Sequence, residues 1–151
     1  MEDNSIVKID SLLNTLDYFK KNFGNTFIVG GSLALYVHGF EHDVHDIDIE
    51  YCTSDQNIIE KFKTMSIVYE SNQGENTAKY SNKNEHYRFL FNKHIIDVWV
   101  VKEFSYNRNV IFKDIHFADI ISVLKKKMAM NRIKDYKDFN VYISQLNSLI
   151  K

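Results

Sequence analysis

Three places in the sequence combine residue types that do chemistry. Gly30-Gly31-Ser32 ends the short apolar run Thr26-Phe27-Ile28-Val29 and precedes residues suited to a short helix. A glycine pair lets the backbone turn sharply and lets a ligand approach without meeting a Cβ, while the following helix presents unpaired N–H groups and its positive dipole end to a guest such as phosphate. An ordinary tight strand-to-helix turn uses the same residues. The second place is Asp46-Ile47-Asp48-Ile49-Glu50-Tyr51, which alternates acid with apolar residue. Residues i and i+2 of a strand share a face, so Asp46 and Asp48 stand roughly 6–7 Å apart along the chain, near enough to ligate divalent cations. Magnesium takes oxygen ligands and leaves its other positions to water or substrate phosphates, so a couple of carboxylates suffices. A strand that turns its polar face to water gives the same alternation, although Asp is poorly suited to strands. The third place is Asp97, within Ile95-Ile96-Asp97-Val98-Trp99-Val100-Val101. An isolated acid in so apolar a strand is expensive to bury without a partner, and the expectation is a metal ion or a proton to manage.

These residues need elements to hold them. Ile6, Ile9, Leu12, Leu13, Leu16 and Phe19 line one face of a helix, with Asp3 or Asn4 to cap it and Gly24 to end it. Thr26–Val29 reads as a buried strand, Ser32–His38 as a short helix ended by Gly39, and Asp46–Tyr51 as a strand with one core face and one acidic face. After the capping residues Thr53-Ser54-Asp55, the spacing of Ile58, Ile59, Phe62 and Met65 predicts a second amphipathic helix. Further strands are expected over Ser66–Glu70, His86–Phe91 and His94–Val101, a weaker one over Asn109–Phe112, and a loop or hairpin over Ser71–Asn84. The end reads as two helices, about Ala118–Asn131 and about Asp135–Leu149. Helices interleaved with strands that can pair locally predict an α/β (α+β) fold, a mixed β-sheet flanked by helices.

At 151 residues, 44% apolar and 14% aromatic, the chain suits one domain with its own core and excludes disorder as the main state. Nineteen Lys+Arg against twenty Asp+Glu give a net charge of −1, which argues against coating long nucleic acid and leaves room for a local basic patch. The sum conceals two opposed blocks: Glu41–Glu50 has five acids and no Lys or Arg, and Lys125–Asp138 has six bases and two acids. The single cysteine, Cys52, makes no intramolecular disulfide, and no Cys/His set has zinc spacing. A reducing cytoplasm is expected. Met1-Glu2-Asp3-Asn4 is acidic where a signal peptide is basic, and no stretch approaches the roughly 18 apolar residues that span a bilayer, so no membrane partner is expected.

Taken together, Val29-Gly30-Gly31-Ser32-Leu33-Ala34-Leu35, Asp46-Ile47-Asp48-Ile49 and Asp97 resemble the nucleotidyltransferase superfold that includes polymerase-beta-type enzymes, specifically its small bacterial and phage members. Thirteen residues separate Ser32 from Asp46, within that family's range between glycine turn and acidic pair. Lys127-Met128-Ala129-Met130-Asn131-Arg132-Ile133-Lys134-Asp135-Tyr136-Lys137-Asp138 resembles the C-terminal helical motif of the AbiEii/AbiGii-type branch, where Lys, Arg, a Lys-Asp pair and a later Asp recur at this spacing. The resemblance runs from about residue 26 to residue 140 and implies one nucleotidyltransferase-like domain over 1–151, its catalytic core at about 26–112 and a C-terminal helical segment at about 117–150. Where that branch often carries Arg and Thr before the acidic pair, this chain has His42 and Val44.

The resemblance implies metal-dependent transfer of a nucleoside monophosphate from an NTP, with pyrophosphate released. Asp46 and Asp48 would hold two Mg²⁺ (or Mn²⁺) ions, and Asp97 would complete the second site or act as general base. The N–H groups around Gly30, Gly31 and Ser32, with the Ser32 hydroxyl, would grip the β- and γ-phosphates, and Lys127 and Arg132 would counter charge on the pyrophosphate. The implied acceptor is RNA such as a tRNA end, a protein or a small hydroxylated molecule. The branch implies a toxin or phage-defence role with a cognate antitoxin or second subunit. A catalytically inactive nucleotide- or partner-binding module and an antibiotic-modifying enzyme remain alternatives. Against these roles, Lys125, Lys126 and Lys127 are consecutive and cannot all face one site, and such runs usually meet solvent. His42 and His45 read as surface residues before metal ligands. Trp99, Phe89 and Phe91 read as core, as do Tyr80 and Tyr87, which with Lys79 and Arg88 offer the alternative of stacking on an acceptor.

Overall fold

Helix α1 (Asn4–Phe23) buries Ile9, Leu12, Leu13, Leu16 and Phe19 and ends at Gly24, whose φ of +86° closes the last turn through an N–H···O bond to Lys20 of 2.8 Å. Strand β1 (Phe27–Gly30) is buried throughout and runs directly into α2 (Gly31–Val37). Strand β2 (Asp46–Cys52) carries the alternating acids. Helix α3 (Gln56–Met65) starts where the Asp55 carboxylate accepts from the Asn57 N–H at 2.9 Å, one of the expected caps. Then follow β3 (Glu85–Phe91), β4 (His94–Val101), β5 (Asn109–Phe112), β6 (Ile115–Ala118) and α4 (Ile120–Met130). The computed structural model describes residues 4–40, 44–66, 85–106 and 109–130, and single positions between 133 and 147, which are helical.

The strands form one six-stranded mixed sheet in the order β3-β4-β2-β1-β6-β5. Sequential neighbours β1/β2, β3/β4 and β5/β6 pair antiparallel, whereas β2/β4 and β1/β6 pair parallel. The two tight hairpins turn at Asn92-Lys93 (φ 48° and 72°) and Lys113-Asp114 (φ 49° and 62°), the doubly left-handed geometry that matches strand twist. Without a glycine to mark them, the sequence does not announce these turns. Strand β6 was also not expected: four residues abutting a helix carry too little periodicity to register. The strand expected over Ser66–Glu70 and the loop over Ser71–Asn84 lie outside the described residues beyond Ser66, which ends α3.

Period-two alternation sorts the sheet into two faces. Ile47, Ile49 and Tyr51 of β2, Ile96, Val98 and Val100 of β4, and Tyr87 and Phe89 of β3 share one face and are buried. Against it lie α1 and α3, where Phe19 stacks on Phe62 with centroids 6.1 Å apart and Phe62 meets Tyr51, Tyr87 and Phe89. Each such ring contributes roughly 1.5–3 kcal/mol by leaving water. Tyr87 and Phe89 are therefore core residues, not platforms for an acceptor. The opposite face carries the acids. Among the described residues no helix is long and apolar enough to cross a membrane.

Candidate active site

Strand register assembles the site. Gly30 of β1 lies opposite Asp48 of β2, Asp48 opposite Asp97 of β4, and Asp97 opposite Arg88 of β3. Residues directly across a ladder share a face, so four strands place one residue each in a single row, and Asp46 joins it two positions along β2. Carboxylate oxygens of Asp46, Asp48 and Asp97 all lie within 4.8 Å of one another. Local alternation accounts for Asp46 and Asp48; the parallel pairing of β2 with β4 brings in Asp97.

Crowding three acids at the edge of a core raises the cost of ionising them. Asp48 is pushed up to about 7 by burial first and then by repulsion from Asp46 and Asp97, against the pull of Lys127 and Lys126. Asp46 is also raised, by burial and then by Asp97, while Arg88 works in the other direction. Asp97 is 4% exposed and has a side-chain donor on each oxygen. His86 Nε2 lies 2.9 Å from Oδ1, and Arg88 Nη1 lies 2.7 Å from Oδ2 and 3.4 Å from Asp46 Oδ2. The His86 ring stacks on Trp99 with centroids 3.8 Å apart and 9° between planes. Its Nδ1 is buried without a partner among the described residues, so the tautomer with the proton on Nε2 fits, donating to Asp97. The expectation that Asp97 needs a partner is thus met by β3, which supplies two bases that spacing alone had not singled out. The signal was present in His86-Tyr87-Arg88-Phe89, an alternation of basic and aromatic residues complementary to the acid–apolar alternation of β2.

The glycines are required, but their missing side chains make room for the protein itself. Gly31 has φ +61°, and a Cβ there would overlap the Asp48 carboxylate; a Cβ on Gly30 would overlap the Tyr106 phenol. Ser32 follows in the first turn of α2, half-buried. Tyr106 belongs to a second network that sequence reasoning missed. Glu50, the third acid of β2, is 2% exposed and accepts from the Ser105 N–H at 2.8 Å, from the Ser105 hydroxyl and from Lys126 Nζ at 2.6 Å. Lys126 Nζ also lies 4.4 Å from the centre of the Tyr106 ring. Glu50 thereby ties the segment after β4 and helix α4 to the sheet, and it is an anchor outside the three-carboxylate cluster. Glu50→Gln keeps the shape but removes the charge facing Lys126, and is expected to lower unfolding free energy by about 1–2 kcal/mol in urea titrations. An unchanged midpoint would contradict that role.

Of the basic run, Lys125 is exposed, Lys126 binds Glu50, and Lys127 is buried with its charge acting on Asp48. The opposed charge blocks therefore do meet through Lys126 and Lys127. Arg132 and His42 lie outside the described residues, as do Tyr80 and Lys79. Val44 is buried in the core and His45 is exposed.

No family model matches the chain, and no curated protein matches it. Its architecture is similar to a crystal structure from Thermotoga maritima described as a "putative nucleotidyltransferase": the two are 16% identical, the match covers 96% of each chain, and the TM-score is 0.55. At that identity the likeness carries the fold, and the six-stranded mixed sheet flanked by helices is a nucleotidyltransferase-like fold.

Proposed function

We propose that the protein is a metal-dependent nucleotidyltransferase that moves a nucleoside monophosphate from an NTP to a hydroxyl on RNA such as a tRNA end, on a protein or on a small molecule. The observation that carries this reading is the convergence of Asp46, Asp48 and Asp97 within 4.8 Å beside the start of α2, on a fold shared with a protein described as a nucleotidyltransferase. The donor set fits Mg²⁺ or Mn²⁺: every ligand atom is a hard carboxylate oxygen, and an Asp48 held near 7 gains from an adjacent cation what it loses to its neighbours. When bound, such a cation neutralises phosphate charge and eases deprotonation of an attacking hydroxyl.

The chain's own residues then divide the work. Asp46, Asp48 and Asp97 hold the cation, with Asp97 oriented by His86 and Arg88. The N–H groups at Gly30, Gly31 and Ser32 and the Ser32 hydroxyl receive the β- and γ-phosphates. Lys127 and Arg132 counter the charge that gathers on departing pyrophosphate. The branch resemblance supports a toxin or phage-defence role in the cytoplasm, with an antitoxin or second subunit as partner. The test is incubation with each labelled NTP, Mg²⁺ or Mn²⁺ and total RNA, alongside Asp46→Asn. Label transferred to RNA or protein only when Asp46 is intact supports the enzyme and names the acceptor class. If no NTP is consumed with either metal and MgNTP gives no thermal shift, the fold serves as a catalytically inactive binding module.

A further inference from the structure

Arg88 carries a full positive charge into the acidic row, more than orienting Asp97 requires. Its backbone is held opposite Asp97 by the β3/β4 ladder, which roots the side chain in the acidic row. Its Nη1 stands between two of the three carboxylates, 2.7 Å from Asp97 Oδ2 and 3.4 Å from Asp46 Oδ2, the place a cation bridging those two acids would take. We infer that Arg88 fills one of the cation positions of the cluster, so that the cluster takes one divalent cation where its three carboxylates alone would take two. The inference rests on the metal-binding reading proposed above and deepens it.

Three observations support this division. The contact to Asp97 is short and that to Asp46 long, and Asp97 Oδ1 is already engaged by His86 at 2.9 Å. Both oxygens of Asp97 are thus engaged by side chains of β3, which leaves Asp46 and Asp48 the larger share in holding a metal ion. The charge count leans the same way: Arg88 reduces the three carboxylates to −2, and the Lys127 charge that acts on Asp48 reduces it further, so two divalent ions would leave a large positive excess. Arginine does not surrender its proton, and a second divalent ion on Asp97 would stand against that fixed positive charge 2.7 Å from Oδ2. The Arg88 side chain is 37% exposed, and its Nη1 holds the acids.

The test is Mn²⁺ binding stoichiometry, read from the electron paramagnetic resonance signal of free Mn²⁺ at pH 8 with Mn²⁺ alone, on wild-type protein, Arg88→Gln, Arg88→Lys and Asp48→Asn. Wild-type and Arg88→Lys are expected to bind one Mn²⁺ per chain, Arg88→Gln two, and Asp48→Asn none or a markedly weakened one, which places the counted ions in the cluster. A wild-type count of two overturns the inference without reference to any variant, which keeps it open to refutation should Arg88→Gln fail to fold. Equal, non-zero counts in wild type and Arg88→Gln overturn it while leaving the metal reading intact. Absence of Mn²⁺ from every variant removes the metal reading, and the inference with it.

Discussion

Asp48→Asn is expected to abolish the proposed metal-dependent transfer, by about 10³-fold or more, while making the metal-free protein more stable at pH 8. The opposite signs share one cause. In the folded chain Asp48 titrates at about 7, because burial and then the charges of Asp46 and Asp97 oppose its ionisation; unfolded, an Asp titrates near 3.9. Below about pH 4 the group is protonated in both states and costs nothing. Between about 4 and 7 the folded chain keeps a proton that the unfolded chain releases, so stability falls as pH rises. Above 7 the group is charged in both states and the whole penalty stands. Asparagine keeps the shape without the charge, and because Asp48 is only half-buried by area the gain at pH 8 is set at about 2–3 kcal/mol, roughly 5–10 °C in melting temperature. Thermal melts in EDTA at pH 8 and pH 4 check it: the gain should be present at the first and largely gone at the second. A variant that melts below wild type at pH 8 would show that the Asp48 charge is not a burden in the folded chain. At the proposed metal site the same competition is expected to make Mn²⁺ affinity fall about tenfold for each pH unit below 7.

Gly31→Ala carries the largest expected loss of stability, about 3–5 kcal/mol, from two sources that can be separated. An L-residue at φ +61° costs about 1–2 kcal/mol. The remainder comes from the new Cβ, which would overlap the Asp48 carboxylate and displace it from its place beside the start of α2. Removing that carboxylate relieves the overlap and leaves the backbone strain and a tight contact with the Asp48 Cβ. In a cycle of Gly31→Ala, Asp48→Ala and the double variant, the two changes should therefore be coupled by about 2 kcal/mol. Additive effects in urea unfolding would mean that Gly31 answers to its backbone angle alone. Because the displaced group is a proposed metal ligand, Gly31→Ala should weaken Mn²⁺ binding as well, although residue 31 offers no ligand atom of its own.

Much of the frame was legible because it depends on residues a few positions apart. The threefold and fourfold spacing of α1, the Asp55 cap of α3 and the alternation of β2 are all local statements, and the residues needed to read them stand side by side. The Asp46/Asp48 pair and the glycine turn were legible for the same reason. What the glycines accommodate was not: their missing side chains leave space for Asp48 and Tyr106, and the latter lies in a segment far along the chain. Glu50 looked like one more exposed acid in an alternating strand and is instead buried, because Ser105 and Lys126 reach it from distant segments.

The sequence by itself determined which residues could carry charge to one face of a strand and where most of the strands and helices lie. Only the tertiary structure decided which charges meet. Asp48 and Asp97 are opposite each other because β2 and β4 pair parallel in one register, and Arg88 joins them because β3 folds back on β4. A slip of a single residue in either ladder would turn the side chains of that strand to the other face and leave the carboxylates without their base. That register is set by burying Tyr87, Phe89, Ile96 and Val98 against α1 and α3, so the apolar face of the sheet fixes the composition of the polar one.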